Sequence, residues 1–406
     1  RMDISIEFEN AHGVFVPGYE VSGFALFTVA DKPLKARAVI ISVEGSAKTS
    51  WTVSERHASD CSHYHQEICI CHSKPSALHE GQTQATHRTV TYSGTVPYAS
   101  GDVTVWAPKG GESAGHIPVG THKFPFRFSL PSTCAPSFEG TSGYIRYFCK
   151  AKIDRPWKFD YTTRKVFTVV PTFDLNAIPS AANPVETQDS RDLGVLFFKH
   201  GRVHVTGRLM KGGFVPGESI VLHTDIQNDS SKTINKIALK LVESSRYVAY
   251  RNGYKSSSSK STEERVFKRT VAQYEEKVEI GKGGTQQYSR MVPIPPVVPS
   301  FNTCPIISVE YYLKVKISAN GMMKNSLTLH LPVLIGTVPI RHMVNQMATL
   351  PSSRPSTGRG SLVPPPSYEE CVFGKGTVKD EEDNKDFAPR YVYYPNITPS
   401  APPEGK

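Results

Sequence analysis

A short proline and tyrosine motif near the C-terminus carries the sharpest binding signal in this sequence. Pro365 and Pro366 precede Tyr368, with one serine between them. Two prolines favour a polyproline II ribbon, which loses little entropy on binding and fits the aromatic groove of a WW domain. Tyr368 is expected to fill the adjoining pocket and to fix the orientation of the ribbon. The motif therefore predicts a binding site for a WW-domain protein.

A related segment lies further along the chain. Pro389 and Tyr391 repeat part of the motif, but Ala388 occupies the position of the first proline. This departure predicts a degenerate and weaker WW ligand. An ordinary disordered aromatic segment is the alternative that the sequence leaves open, since Tyr393 and Tyr394 follow directly.

Cysteine and histidine side chains cluster in the first half of the chain. Thiolate and imidazole are the ligands that Zn²⁺ prefers, and four of them would close a tetrahedral site. The spacing is not that of a paired CxxC framework, so a variable, His-rich loop between two strands is favoured and no cofactor is expected. The candidate metal ligands are Cys61, His63, His65, Cys69, Cys71 and His72.

Motifs for catalysis are incomplete in this sequence. His79 and Glu80 begin like a zincin helix, but Thr83 stands where the second His is required. A G-x-S-x-G segment surrounds Ser113, yet prolines close to it on both sides predict a loop. A nucleophile elbow needs a strand before the serine and a helix after it. We therefore expect the chain not to be an enzyme.

The charge of the chain is unevenly distributed. The formal net charge is +10, and 40 of the 47 Lys and Arg precede Pro351, against 29 of the 37 Asp and Glu. A basic surplus favours acidic partners, with solubility alone as the alternative, and we do not expect nucleic acid among those partners. Solvation of a sheet face is the default explanation for the basic strand residues. Contact with an anionic membrane or acidic cargo is the other explanation for Lys150, Lys152, Lys314 and Lys316.

The elements that position these residues are predicted to be β-strands. The 406 residues include 30 Gly and 31 Pro, with abundant Val, Thr, Tyr and Phe, which is typical of an all-β protein. The length suits two domains and a tail. Seven scattered cysteines, an odd number, favour reduced thiols in the cytosol. We find no apolar run of membrane-spanning length and no signal-peptide pattern at the N-terminus.

The sequence also repeats itself. Residues 13–20 are echoed by 213–218, residues 136–138 by 299–301, and residues 145–153 by 309–317, in the same order. The first pair contains Pro then Gly, which predicts a type II turn. The last pair alternates apolar with polar residues, which predicts a half-buried strand in each copy. The duplication therefore predicts two β-sandwiches in tandem.

Composition sets the predicted boundaries. We expect a first sandwich over 1–172, a linker over 173–192, a second sandwich over 193–340 and a disordered tail over 341–406. The linker contains prolines and lacks apolar periodicity. The tail is rich in Pro, Ser, Gly and charge, so it buries too little apolar surface to fold.

Three stretches of the chain resemble the α-arrestins, the arrestin-domain-containing proteins. They are GTHKFPFRFSLP at 120–131, SFEG at 137–140 continuing to KAKIDRPW at 150–157, and LPVLIGT at 331–337. The resemblance implies two arrestin-like, immunoglobulin-like sandwiches. It also implies a cytosolic adaptor, peripheral at the plasma membrane and endosomes, that binds transmembrane receptor or transporter cargo. Such an adaptor recruits WW-domain HECT E3 ubiquitin ligases through a PPxY motif and promotes ubiquitination, endocytosis and sorting of the cargo.

Two other functions stay open at the level of sequence. The first is an arrestin-like, receptor-binding signalling scaffold in which the tyrosine motif is accidental. The second is a metal-stabilised or redox-responsive protein that is governed by the Cys/His-rich loop.

Overall fold

The structure, a computed structural model, describes residues 2–57, 86–195, 198–252, 261–320, 326–341, 367–370, 378–379 and 386–395. Strand accounts for 69% of the structure and helix for 4%, so the predicted all-β class is confirmed. The described residues form two β-sandwiches in tandem, as the duplication predicts. The candidate metal ligands between Cys61 and His72 lie outside the described residues.

The first sandwich contains eleven of the described strands. One sheet has the order β1-β3-β8, and the facing sheet has the order β6-β5-β10-β11-β2, with β9 paired to β10 and a separate pair β4-β7. The strands are β1 (Met2–Phe8), β2 (Val14–Phe15), β3 (Glu20–Val29), β4 (Leu34–Ala36), β5 (Ala38–His57), β6 (Thr86–Trp106), β7 (Gly115–Ile117), β8 (Gly120–Ser129), β9 (Phe138–Gly140), β10 (Gly143–Asp154) and β11 (Tyr161–Val169). A short 3-10 turn spans Lys109–Gly111.

The second sandwich repeats this plan. One sheet has the order β12-β13-β15-β18, and the other has the order β14-β20-β19-β16, with β17 paired to β16. The strands are β12 (Val185–Val195), β13 (Phe198–Leu209), β14 (Gly213–Phe214), β15 (Ser219–Asn228), β16 (Ile234–Arg251), β17 (Thr262–Ile280), β18 (Gly284–Pro293), β19 (Ile307–Ala319) and β20 (Ser326–Ile335). In both copies a strand of only two residues runs parallel to the last strand, β2 to β11 and β14 to β20.

The alternating strands predicted from the sequence form the cores. Every other side chain of β10 and β19 points inward, because successive residues of a strand face opposite sides of the sheet. The buried residues are Ile145, Tyr147, Cys149, Ala151 and Ile153 in β10, and Val309, Tyr311, Leu313, Val315 and Ile317 in β19. The strand β8 lies at the edge of its sheet, where Pro125 removes no ladder hydrogen bond that the sheet needs.

The echoed turns and serines have the same structure in both copies. Gly18 has a φ of 85° and Gly217 a φ of 98°, which confirms the positive φ that the Pro-Gly pairs predict. The buried Ser137 Oγ accepts a hydrogen bond from the Val169 N–H at 2.9 Å. In the second copy the Ile335 N–H donates to Ser300 Oγ at 3.0 Å.

The two sandwiches share one continuous sheet. The end of β16 pairs with β6, with Tyr250 opposite Ser93, so the larger sheets of the two domains join. Near this junction the Phe138 ring lies 6.4 Å from the Tyr247 ring and 6.0 Å from the Phe301 ring, measured between centroids. Aromatic contacts and sheet pairing together fix the two domains against each other.

The predicted linker 173–192 divides into two parts. Its first part is an ordered connector with a 3-10 turn at Leu175–Ala177 and a short helix, α1, at Pro179–Ala182. From Val185 onward the chain is strand β12, which corrects the predicted linker. β12 is an edge strand, and most of its side chains are exposed through Asp192, so its sequence lacks the apolar periodicity of a buried strand.

Parts of the predicted tail are ordered. Strand β21 (Ser367–Glu370) pairs with β24 (Arg390–Tyr393), and β22 (Val378–Lys379) pairs with β23 (Asp386–Phe387). For residues 367–370 and 386–395 the structure differs from the expected disorder. The physical reason is local: the average composition of the tail is polar, but its aromatic residues supply enough apolar surface for one short segment to pack.

Candidate functional site

The tyrosine of the proline motif lies in a two-stranded hairpin with the end of the tail. Tyr368 is directly opposite Val392 in the antiparallel pair of β21 and β24. The Ser367 hydroxyl donates to the Tyr393 carbonyl oxygen at 3.2 Å. The Tyr368 ring is half-buried, and its centroid lies 5.8 Å from that of His12. The tyrosine of the motif therefore makes contacts with other residues of the same chain.

Hydrogen bonds from Tyr391 and Arg390 hold the strand β24 on its first-sandwich side. Tyr391 is 1% exposed, and its hydroxyl donates to the Ser137 carbonyl oxygen at 2.9 Å. The Arg390 N–H donates to Thr168 Oγ1 at 3.2 Å. A buried phenol needs such a partner because an unpaired hydroxyl in an apolar site is costly.

The residue that follows β24 is held by the second sandwich. The Tyr394 N–H donates to the Pro216 carbonyl oxygen at 3.1 Å, and its hydroxyl donates to the Thr337 carbonyl oxygen at 2.8 Å. A Cβ atom at Gly217 would lie 2.2 Å from the Tyr394 carbonyl oxygen, so the backbones meet there. Burial, with the neighbouring Tyr368 and Glu218, raises the pKa of Tyr394 to about 12.

These contacts define an inter-domain cleft, formed by Ser137 and Thr168 of the first sandwich and by Pro216 and Thr337 of the second. Residues 390–395, which we call the tail segment, lie along it. Ser137 belongs to the echoed motif whose next residue, Phe138, contacts the second sandwich, so the cleft is formed where the two copies meet. Beside the preceding residues 387–390, a cavity of about 440 Å³ lies against Phe8, His12 and Lys165.

The two predicted WW ligands differ in how far they are buried in the structure. Pro365 and Pro366 lie outside the described residues. Tyr368 is described and half-buried, whereas Pro389 and Tyr391, the predicted second ligand, are buried in the fold. Sequence reasoning missed the intramolecular role of Tyr391 and Tyr394. The only local signal for it is the aromatic run in an otherwise polar tail.

The second predicted pair of lysines lines a basic hollow. Lys314 and Lys316 lie on β19 beside Lys236 and Lys240 of β16, around a cavity of about 230 Å³. Lys240 is directly opposite Lys314 in the sheet. Glu275 is the acidic residue of this lining, and its hydrogen bond from Lys236 lowers the pKa of the carboxyl group. Like charges held this close favour an anionic ligand.

The first predicted pair of lysines has a different setting. Lys150 and Lys152 lie on β10 of the other sandwich, so the structure does not bring the four lysines together. Lys152 Nζ is 3.3 Å from Asp160 Oδ2, which compensates part of its charge. Among the predicted basic contacts, Lys314 and Lys316 therefore form the stronger candidate site.

The described cysteines are buried thiols of the cores. Cys134, Cys149 and Cys304 are free. Burial raises the pKa of Cys149 to about 12, and a protonated thiol is a poor nucleophile and metal ligand. The proposed metal or redox role of the Cys/His-rich loop falls on residues outside the described ranges and stays a prediction.

None of the helices in the described part of the chain has the length and apolar character that a membrane crossing requires.

Comparison with known proteins identifies relatives of both sandwiches. Residues 4–176 match the family described as Arrestin (or S-antigen), N-terminal domain, and residues 199–340 match Arrestin (or S-antigen), C-terminal domain. Arrestin domain-containing protein 17 of Caenorhabditis elegans is 30% identical over 388 residues, covering 93% of this chain and 81% of the relative. Arrestin domain-containing protein 4 of Homo sapiens is 27% identical over 396 residues, covering 97% and 85%. Arrestin domain-containing protein 1 of Mus musculus is 30% identical over 261 residues, covering 63% and 56%.

Proposed function

The chain belongs to the arrestin-domain-containing proteins, the α-arrestins, and on that basis we propose that it is a non-enzymatic trafficking adaptor. It binds transmembrane receptor or transporter cargo through its arrestin fold and recruits a WW-domain HECT E3 ubiquitin ligase through Pro365, Pro366 and Tyr368. The ligase supplies the chemistry of ubiquitin transfer. The adaptor works in the cytoplasm, peripherally at the plasma membrane and endosomes, and promotes ubiquitination, endocytosis and sorting of its cargo.

One observation carries the ligase half of this proposal. The Pro-Pro-Ser-Tyr sequence stands behind two arrestin domains, in a tail whose strands belong to neither sandwich. A WW domain binds such a motif as a short ribbon and needs no further fold from the ligand. The position of the motif therefore suits recruitment of a partner while the sandwiches stay available for cargo.

The direct test uses an isolated peptide of residues 363–372 and a single WW domain of a HECT ligase. A few residues bury little surface, so we expect a dissociation constant of roughly 1 to 100 μM by calorimetry. Replacing Tyr368 with Ala should weaken binding at least about tenfold, because the ring is the largest buried group of the motif. Ser367→Ala, at the variable position, is the matched control and should bind within about threefold of the native peptide. Equal binding of the Tyr368→Ala peptide would remove the ligase half of the proposal.

The basic hollow supports the cargo or membrane half. Lys236, Lys240, Lys314 and Lys316 outnumber the acidic Glu275 around one cavity. This charge suits an anionic headgroup or an acidic cytosolic segment of a cargo protein. We assign Lys314 and Lys316 to that contact, with Lys150 and Lys152 as a weaker one.

A signalling scaffold without ligase recruitment is the alternative function. A scaffold would have the same arrestin fold, but its Pro-Pro-Ser-Tyr sequence would bind no ligase. An affinity experiment on the full chain separates the two: a scaffold keeps its partners when Tyr368 is replaced by Ala, whereas an adaptor loses its WW-domain ligases.

A further inference from the structure

The Tyr368 ring has two mutually exclusive uses. A WW domain must enclose this ring in its own pocket and must hold the motif as a polyproline II ribbon. In the structure the residue is instead paired as a β-strand with Val392 and lies against His12. One ring cannot occupy both sites, so the motif is available to a WW domain only when β21 leaves β24.

The tail segment, which contains the partner strand β24, is anchored more firmly than a surface hairpin requires. Tyr391, Val392 and Tyr394 are 1%, 7% and 4% exposed, respectively. The two tyrosine hydroxyls donate to carbonyl oxygens of Ser137 and Thr337, one in each half of the duplication. The inter-domain cleft therefore binds an extended segment with two tyrosines three residues apart, through groups that the folded domains provide.

We propose that the inter-domain cleft is a binding groove for a Tyr-x-x-Tyr segment, and that the chain's own tail segment fills it and thereby withholds Tyr368 from WW domains. This inference rests on the proposed function and describes its regulation. Ligase recruitment then depends on release of residues 390–395. The apparent affinity for a WW domain falls by the fraction of molecules in which the segment is released.

The test titrates one WW domain into the peptide 363–372, the intact chain and chain variants. The intact chain should bind about tenfold or more weakly than the peptide. Tyr391→Ala should restore binding to within about threefold of the peptide, and Tyr391→Phe, which keeps the ring but removes the hydroxyl that donates to Ser137, should restore part of it. Tyr393→Ala is the matched control, since this half-buried tyrosine makes no side-chain hydrogen bond within the described residues. It should bind like the intact chain.

The outcomes separate this inference from the proposed function. If the peptide does not bind, the proposed function fails. If the peptide binds and the intact chain and Tyr391→Ala bind as tightly as the peptide, the function stands and the masking inference is overturned. Circular dichroism of each variant verifies that it is folded.

A second measurement tests the groove itself. A labelled peptide of residues 386–396 is added to a full chain that carries Tyr391→Ala and Tyr394→Ala. Fluorescence anisotropy should show saturable binding to this variant and at least about tenfold weaker binding to the intact chain, whose groove is filled in cis at high effective concentration. The same peptide with both tyrosines replaced by Ala should not bind. Equal binding of the two peptides, or none to the variant, contradicts a tyrosine-specific groove.

A separate surface of the first sandwich has an unusual aromatic tip. Trp157 and Phe159, between β10 and β11, are 101% and 95% exposed. Trp157 also has a φ of 60°, a left-handed conformation that is strained for a bulky side chain. Exposed, strained aromatic residues are costly to keep in water and indicate an apolar partner.

The base of this tip is braced by a hydrogen bond and an ion pair, and the tip itself carries a lysine. The Arg155 N–H donates to Asp160 Oδ1 at 3.0 Å, and Lys152 forms an ion pair with the same carboxylate. Lys158 is the residue between Trp157 and Phe159 in the sequence. The tip lies at the far end of β10, about 36 Å from the end near the second sandwich, so no part of the inter-domain interface covers it.

From this geometry we infer that the hairpin tip inserts Trp157 and Phe159 into the interfacial region of an anionic lipid membrane. Indole and phenyl rings favour that region, and nearby lysine and arginine contact the headgroups. The insertion uses residues distinct from the basic hollow and from the tail.

Tryptophan fluorescence tests the inference, because the other two tryptophans, Trp51 and Trp106, are buried and half-buried. Vesicles of phosphatidylcholine with about one third phosphatidylserine should shift the emission of the intact chain to the blue. The Trp157→Ser, Phe159→Ser variant should sediment with these vesicles about tenfold less. Tyr19→Ser, which removes a 70% exposed ring elsewhere on the same sandwich, should behave like the intact chain. Unchanged emission, or equal sedimentation of the double variant, overturns the inference.

Discussion

At the scale of single residues, Ser137 and Ser300 make equivalent hydrogen bonds to the last strand of their sandwiches. Each hydroxyl accepts a backbone N–H of the last strand, from Val169 and from Ile335. Alanine at either position leaves that N–H without its partner, so we expect each substitution to lower the free energy of unfolding by about 1–3 kcal/mol. Urea unfolding followed by fluorescence measures this. Ser129→Ala, at an exposed position of β8, should change stability by less than about 0.5 kcal/mol, and equal losses for all three variants would contradict the assignment.

A phosphate on Tyr368 should act against the WW domain. The modification places about two negative charges on a ring that must enter an apolar pocket. We expect the phosphorylated peptide 363–372 to bind a WW domain at least about tenfold more weakly than the unmodified peptide, measured by calorimetry. Phosphate on Ser367, outside the tyrosine pocket, is the comparison. Tighter binding of the Tyr368 phosphopeptide would show that the ring does not enter such a pocket.

At the scale of elements, the adjacent strands β16 and β19 concentrate positive charge. Replacing Lys314 and Lys316 with Glu should reduce sedimentation with anionic vesicles about tenfold at low salt. The difference should shrink as salt rises, because exposed charges are screened. The same change at Lys150 and Lys152 should have a smaller effect, since Lys152 is already paired with Asp160. A larger effect at Lys150 and Lys152 would show that the first sandwich, not the second, makes the main contact with the vesicles.

Whether an element can be predicted from the sequence depends on whether burial imposes a pattern on its residues. β10 and β19 were predicted because one face is buried, which forces a period of two. β12 was not, because it is an exposed edge strand from Val185 onward. The tail motif was predicted from four residues, whereas the role of Tyr391 depends on Ser137, which is 254 residues away in the chain. No local pattern encodes such a pairing.

At the scale of the whole molecule, the duplication creates both the fold and the cleft. The two copies meet through one continuous sheet and through aromatic contacts around Phe138. The tail segment lies where they meet and makes hydrogen bonds to both. Under the masking proposal, the folded core that the two arrestin domains form controls access to the ligase motif.

The account is tested most directly by titrating one WW domain of a HECT ligase into the full chain carrying Tyr391→Ala, with and without Tyr368→Ala. Release of the tail should expose the motif, so the single variant should bind with a dissociation constant of roughly 1 to 100 μM. The double variant should bind at least about tenfold more weakly, because the ring that fills the WW pocket is gone. Equal binding of the two variants would contradict the claim that this α-arrestin recruits its ligase through Tyr368.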